Sequence, residues 1–523
     1  MLDPDLTEAD LAQLALHGIS PEEAGRQIAI LERTKATRDL TRACTVGDGI
    51  ARIADAEMPE LVHIHQEAAR AGRVLKFVPA SGAASRMFRD LLAFHQAGVP
   101  TSRQEVDARA GAGDVGAGVL QRFLDEVGRF AFYGELESAL SKRGHDIERL
   151  LAGGGIQEVL AALLDPGGMD YARMPKGLVK FHRYKTEART AFEEHLVEAA
   201  TLVRAEDGTC RLHLTVSAEE AGRFEACLQR VRFRHERRRK SSFVVEFSVQ
   251  KPSTDTLALD GEGKPFRDAE GKLLLRPGGH GSLLENLNGL GADIVHVKNI
   301  DNVAREELAA KGVLWKRLLV GLLVRLQREI VDHARRIERG DPDGVERTRA
   351  FFRRRFFLDV PGDVSASGED EARTLLALLR RPLRVCGVVR NDGEPGGAPF
   401  WVRGKDGRET PQIVEGAEVD RESPSQKSIF SSSTHFNPVD LVCGVRDDSG
   451  LPFDLREYLD PEAVFLARKS SGGRDLLALE RPGLWNGAMS RWNTAFVEIP
   501  GTTFTPVKTV MDLLRAEHQP AVE

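Results

Sequence analysis

Several short stretches of this chain carry residue types suited to holding phosphate. The first is Lys76-Phe-Val-Pro-Ala-Ser-Gly-Ala-Ala-Ser-Arg-Met87. Phe77 and Val78 read as a buried strand, and Pro79 and Gly82 break it. Ser85 is placed to cap a helix whose apolar residues recur as Met87, Phe88, Leu91 and Leu92. Backbone N–H groups in such a loop, with the positive end of a helix behind them, suit a phosphate-sized anion. Arg86, in the first turn, would add a fixed charge. Lys176 follows Pro175 just before a strand candidate, and Lys508 follows Pro506-Val507 ahead of a helix over 510–514. Either ammonium could reach a phosphate as a point charge.

Asp301 ends an apolar stretch, Ile294 to Ile300, where open α/β sheets bind ligands, at the carboxyl end of a strand. One carboxylate there could hold Mg²⁺, which takes few protein ligands and fills its shell from phosphate and water. The plainer reading has Asp301 capping a helix from Val303 onward. Both could hold, since Asn302 could do the capping. Arg276-Pro-Gly-Gly-His-Gly281 offers three glycines around His280, able to press on a flat ligand or simply to turn sharply. Gln250, after a strand, can both donate and accept, as reading a base edge requires. The loops around Glu394 and Asn437 suit sugar hydroxyls or metal, yet taken singly are ordinary turns. No GxSxG elbow and no P-loop GK[ST] occurs. A reaction in which an ionised phosphate attacks another phosphate needs no general base, only charge neutralisation and in-line positioning.

The elements that must position these residues are legible in outline. At 523 residues the chain can bury a large core. Its net charge of −6 gives no reason to expect a polyanion-coating protein. Five scattered cysteines (44, 210, 227, 386, 443) without a CxxC pair exclude a zinc module or disulfide framework and fit a reducing cytosol. The start shows no secretory pattern, and the greasiest helix, Val313 to Leu326, is broken by Lys316, Arg317 and Arg325. The expectation is a soluble, cytoplasmic protein.

Residues 1–75 read as helical, with a capping box at Thr7–Asp10, an N-cap at Ser20 before Pro21, and a helix near Leu61 to Ala71. Residues 76–303 alternate strands and helices, which predicts an α/β fold with a mixed, mostly parallel sheet. Residues 304–382 form a helical insertion. Residues 383–523 are β-rich, with strands near 384–390, 399–403, 411–415, 439–444, 463–467 and 494–499. The basic run His235 to Lys240 reads as a solvated connector. Phe351 to Phe357 reads as a packed helix with snorkelling arginines.

The order of these motifs resembles the UDP-sugar pyrophosphorylases, nucleotidyltransferases that join a nucleoside triphosphate to a sugar 1-phosphate. The matching segments are Val78–Met87, Pro175–Val179, Gln250, Pro277–Gly281, Lys298–Asn302, Gln412–Glu415 and Phe504–Thr509, colinear over residues 76–515. The chain is also similar, end to end, to an uncharacterised bacterial family of that nucleotidyltransferase superfamily. The resemblance implies a Rossmann-like core and Mg²⁺ as cofactor. It implies a nucleoside triphosphate (UTP by analogy) and a sugar 1-phosphate as partners, with no nucleic acid and no membrane. Arg86, Lys176 and Lys508 would be catalytic, and Ser81, Gly82, Gln250, Gly278, Gly279 and His280 would hold the nucleotide. Glu394, Glu415, Asn437 and Lys469 would take the sugar phosphate, and Asp301 the metal, with Asp440 or Asn437 as the second metal ligand. Two alternatives are a nucleotide-sugar sensor without turnover and a glycosyltransferase, the latter lacking its Asp-x-Asp near 301. One departure is Ala83-Ala84-Ser85 where the resembled loop has a second glycine, so extra Cβ atoms border the cradle.

Overall fold

The computed structural model describes residues 6–33, 37–99, 102–360, 368–394 and 396–520. Its principal helices are α1 (Glu8–His17), α2 (Pro21–Glu32), α3 (Met58–Arg70), α4 (Arg89–Ala97), α5 (Ala191–Leu202), α6 (Ala221–Arg239), α7 (Glu306–Glu338), α8 (Gly344–Phe356) and α9 (Gly368–Leu379). Its principal strands begin with β1 (Leu40–Ala43), β2 (Thr45–Val46), β3 (Gly49–Ala51), β4 (Val74–Pro79), β5 (Thr209–Val216), β6 (Ser242–Val249) and β7 (Ile294–Lys298). They continue with β8 (Leu383–Arg390), β9 (Ala398–Arg403), β10 (Glu409–Val414), β11 (Asp440–Gly444), β12 (Phe465–Ser471), β13 (Arg474–Glu480) and β14 (Asn493–Glu498).

Two compact units share the chain, each built from three separate stretches. The first collects Met1–Phe77, Ser248–Val297 and Trp315–Gly501; the second collects Val78–Phe247, Lys298–Leu314 and Thr502–Glu523. In the first unit the strand order is β2-β3-β14-β8-β11-β7-β4. Strand β7 runs parallel to β4, β8 to β14, and β14 to β3, while β8 and β11 are antiparallel. The sheet is therefore mixed and mostly parallel, as the strand–helix alternation requires. Every residue of β7 and β11, and all of β8 but its last, is buried. Phe77, Val295, Val297, Cys386, Leu441 and Trp485 belong to one apolar cluster there.

Local chemistry explains the helix starts. Thr7 and Asp10 form the reciprocal box that opens α1, and Ser20 Oγ accepts from the Glu23 N–H before α2. Ile28, Ile30 and Leu31 are buried on α2. Within the first unit α7 crosses α3 closely, because a Cβ on Gly321 would stand 2.0 Å from the Leu61 carbonyl oxygen. In α8, Phe351, Phe352 and Phe356 are buried, as the packed-helix reading anticipates.

Two expectations fail. Residues 40–51 are not helical but form β1, β2 and β3, whose partners β9 and β14 lie several hundred residues on. The basic run 235–240 is no connector, because it continues α6 to Arg239. There His235 is buried and faces Glu193, while Arg238 pairs with Glu187 at 2.6 Å. Those acids neutralise the run, so it folds as helix instead of repelling itself apart.

Candidate functional site

The second unit assembles the loop that follows β4. Pro79 O accepts from the Ile300 N–H (3.3 Å), and Ala80 N–H donates to Thr215 O (2.8 Å). Two bonds then stitch the loop to the Met174–Lys176 stretch: Ala84 N–H to Met174 O (2.9 Å) and Lys176 N–H to Gly82 O (2.9 Å). Ser81, Gly82 and Ala83 stay exposed between these anchors, and a Cβ on Gly82 would meet only open space. The loop thus presents its backbone outward.

Its exit differs from the expected cap. Residues Ala84–Arg86 form one 3-10 turn with Ala83 at its start, and α4 begins only at Arg89. Ser85 caps nothing. The Ala84 N–H is also spent on Met174, so helix-end attraction for an anion is weaker here than the sequence suggested. Arg86 is exposed and forms no ion pair among the described residues, leaving its guanidinium available.

Three distant segments meet on Asp301. Lys176 Nζ donates to Asp301 Oδ2 at 3.0 Å and to Val507 O at 3.0 Å. Lys508 Nζ reaches the same Oδ2 at 3.3 Å. Lys176 and Asp301 are nearly buried (12% and 11% of the side chain exposed), whereas Lys508 is 55% exposed and can turn to a ligand. Burial alone would raise the Asp301 pKa, but the ammonium groups of Lys176 and Lys508 outweigh it and lower it. Two cations on one anion leave a net positive site.

Backbone contacts fix this convergence. Gly177 must lack a side chain, since a Cβ would stand 2.9 Å from Ile300 Cγ1 and 3.0 Å from the Phe224 ring. The Val507 N–H donates to Asp301 O at 3.1 Å, and the Thr505 N–H to Asn302 Oδ1 at 3.0 Å. Asn302 therefore holds the Thr505 stretch rather than capping a helix, and the next helix starts later, at Glu306. Asp512 Oδ2 accepts from the Lys508 and Thr509 N–H groups (2.8 and 2.7 Å), and the Val510 N–H donates to Met87 O (3.0 Å). Behind the cluster, Lys298 pairs with buried Glu198 at 2.9 Å, and His195 Nε2 lies 3.2 Å from Ile300 O. Sequence reasoning missed Asp512, Glu198 and His195. The only sign was the Thr509-x-x-Asp512 spacing of a capping box.

The remaining candidates sit in the first unit. The glycines at 278, 279 and 281 serve the protein's own packing. Their Cβ atoms would lie 2.5 Å from Thr254 O, 2.7 Å from Glu480 Oε2 and 2.2 Å from Pro482 O. His280 stacks on Trp485 (ring centroids 4.2 Å apart), and its Nδ1 accepts from the Leu484 N–H. Burial pushes its pKa down to about 4. Glu415 accepts from Trp485 Nε1 at 3.3 Å, and burial raises its pKa. Lys469 pairs with Glu480 at 2.8 Å. Asn437 is buried and holds the Val439 N–H, keeping Val439 at a φ of 58° that a β-branched residue rarely adopts. Gln250 and Glu394 are half-buried. Asp440 Oδ1 is bound to His296 Nε2 at 2.7 Å in the core, and it belongs to a different unit from Asp301.

Among the described residues no group of three or more His, Cys, Asp or Glu could hold a metal ion. Asp301 is a single hard-oxygen donor whose Oδ2 already carries two lysines. It could give a hard cation at most one protein carboxylate, the rest of the shell coming from ligand or water.

The chain belongs to the family described as Domain of unknown function (DUF4301), which it matches over residues 7–519. No curated protein matches the sequence. Among solved structures it is similar to the uridine diphosphate N-acetylglucosamine pyrophosphorylase from Trypanosoma brucei. That likeness has 13% identity and a TM-score of 0.49, covering 98% of this chain and 78% of that one. It is also similar to the UDP-glucose pyrophosphorylase from Leishmania major, with 12% identity, a TM-score of 0.45, and 97% and 79% covered. With TM-scores below 0.5, neither likeness fixes what this chain acts on. Among the described residues no helix is long and apolar enough to cross a membrane.

Proposed function

We propose that this protein is a nucleotidyltransferase that joins a nucleoside triphosphate, UTP by preference, to a sugar 1-phosphate. The supporting observation is the meeting of Lys176 and Lys508 on Asp301 in the unit that carries the outward-facing loop at Gly82. Such a site holds the charge of a triphosphate and offers no nucleophile of its own.

In the reaction, an ionised oxygen of the sugar phosphate attacks the α-phosphorus, the new P–O bond forms, and the bond to the β-phosphate oxygen breaks. Pyrophosphate leaves with its electron pair. No proton need be abstracted, so the chain's task is positioning and charge. Lys176, held rigidly by two acceptors, would neutralise the α-phosphate as charge builds there. Lys508, mobile enough to leave Asp301, would meet the incoming sugar phosphate. Arg86 and the backbone at Ser81–Gly82 would take the leaving pyrophosphate. Asp301 would hold Mg²⁺, which when bound neutralises the triphosphate.

The test is pyrophosphate release from each nucleoside triphosphate with a panel of sugar 1-phosphates and Mg²⁺. Release that requires both substrates is expected. No release with any pair, from folded protein, would sink the proposal. Binding without release would point instead to a nucleotide-sugar sensor.

A further inference from the structure

A cavity of about 560 Å³ opens in the first unit, well within the usual size for a small-molecule site. It lies between the second half of α7, the residues leading into β8, and the loop after β11. None of the residues assigned to nucleotidyl transfer lines it. Val324, Ile330, Val331, Ala334 and Leu379 are its apolar lining, and six arginines and four aspartates make up most of the rest.

The arginines are not equally satisfied. Arg73 pairs with Asp293 at 2.5 Å, Arg380 pairs with Glu338, and Arg446 donates to the carbonyls of Gly291, Ala292 and Gly450. Arg335 and Arg381 have no carboxylate partner among the described residues. Arg381 is partly buried, and burial together with Arg491 holds its pKa below the ordinary arginine range. A guanidinium kept partly from water without a counter-ion is costly, and an anion relieves that cost. The fork of an arginine matches phosphate oxygens two at a time.

We propose that this cavity binds a small organic anion, a phosphate monoester with an apolar body, through Arg335 and Arg381. The phosphate would meet the two uncompensated guanidinium groups, and the body would lie on the α7 side chains. This site stands independently of the nucleotidyl-transfer reading.

The test is calorimetric titration of the full chain with phenyl phosphate, inorganic phosphate and phenol. Phenyl phosphate is expected to bind more tightly than inorganic phosphate, and phenol not at all. R381Q should weaken phenyl phosphate at least tenfold, and K176A should leave it unchanged. Arg335 is exposed on α7, so R335Q keeps the fold and should weaken binding too, even if R381Q does not fold. No binding to the unaltered chain, equal binding of phenol, or unchanged affinity in R335Q would overturn the proposal. Loss on K176A instead would assign the phosphate to the Asp301 cluster and overturn it as well. Absence of pyrophosphate release would leave this result untouched.

Discussion

Asp301 carries two duties that mutation can separate. It is the counter-ion of nearly buried Lys176, and removing one partner of such a pair costs about 3 kcal/mol because the other charge is stranded. Asp301→Asn is therefore expected to lower the urea midpoint clearly, whatever the protein's activity. An unchanged midpoint would mean that the pair contributes nothing to the fold. Its lowered pKa sets the pH at which this contribution fades. The folded carboxylate keeps its charge into the range, below about pH 4, in which the unfolded one is already protonated. The stabilisation is thus present above about pH 4 and lost as pH falls further. Lys508 behaves differently, being half exposed. Lys508→Ala should leave stability within about 0.5 kcal/mol, yet reduce the proposed nucleotidyl transfer about a hundredfold. Equal rates for Lys508→Ala and the unaltered chain would remove it from the reaction. The lysine positions were legible as proline-braced cations, but their meeting on Asp301 rests on contacts between stretches far apart in the chain. The Pro277–Gly281 glycines were not legible, since a sequence cannot say whether the atom a Cβ would strike is ligand or backbone. Here it is the carbonyl of Pro482.

At the scale of elements, two contacts are decisive. Gly321 lets α7 lie against α3, and a methyl group 2.0 Å from the Leu61 oxygen would force the helices apart. Gly321→Ala should cost about 2 kcal/mol through overpacking, although alanine is the better helix former. A higher melting temperature for this variant would contradict the close approach. The segment that supplies Lys508 is pinned further on by His518, whose Nδ1 lies 2.8 Å from His182 Nε2, with Glu194 at the other side of that ring. Burial, then the charge of His182, pushes the His518 pKa down to about 3. The unfolded imidazole takes a proton below about 6.5, so in that window the unfolded chain binds more protons. Stability should fall as pH drops from 6.5 towards 3, by up to about 1.4 kcal/mol per unit from this group. His518→Gln should flatten that slope in chemical denaturation measured across the window. Helices with local caps were readable from composition. Strands β1 and β3 were not, because a strand of three or four residues is defined by partners it meets only in the folded chain.

For the whole molecule, the α/β class and mixed sheet were readable because strand–helix alternation is a local signal, repeated often. The division into units was not, since three separate stretches build each one and no composition shift marks the joins. The thiols offer a global check on the packing. All five cysteines are free and buried, and burial raises the pKa of Cys44, Cys386 and Cys443. A thiol reagent should label none of them in minutes under native conditions and all five in denaturant. Rapid native labelling would show the core to be looser than described.

The interleaving also orders events during synthesis. Ribosomes deliver a chain from its amino end, and early domains ordinarily fold while later ones are still being made. Here the second unit waits for residues 502–520, so Lys176 and Asp301 emerge long before the partner ammonium at Lys508 does. A nascent chain halted at residue 501 would carry a carboxylate facing one lysine instead of two, and the Asp301 cluster would be born incomplete. Translation itself would then set when that cluster can close, since Lys508 must leave the ribosome before it meets Asp301.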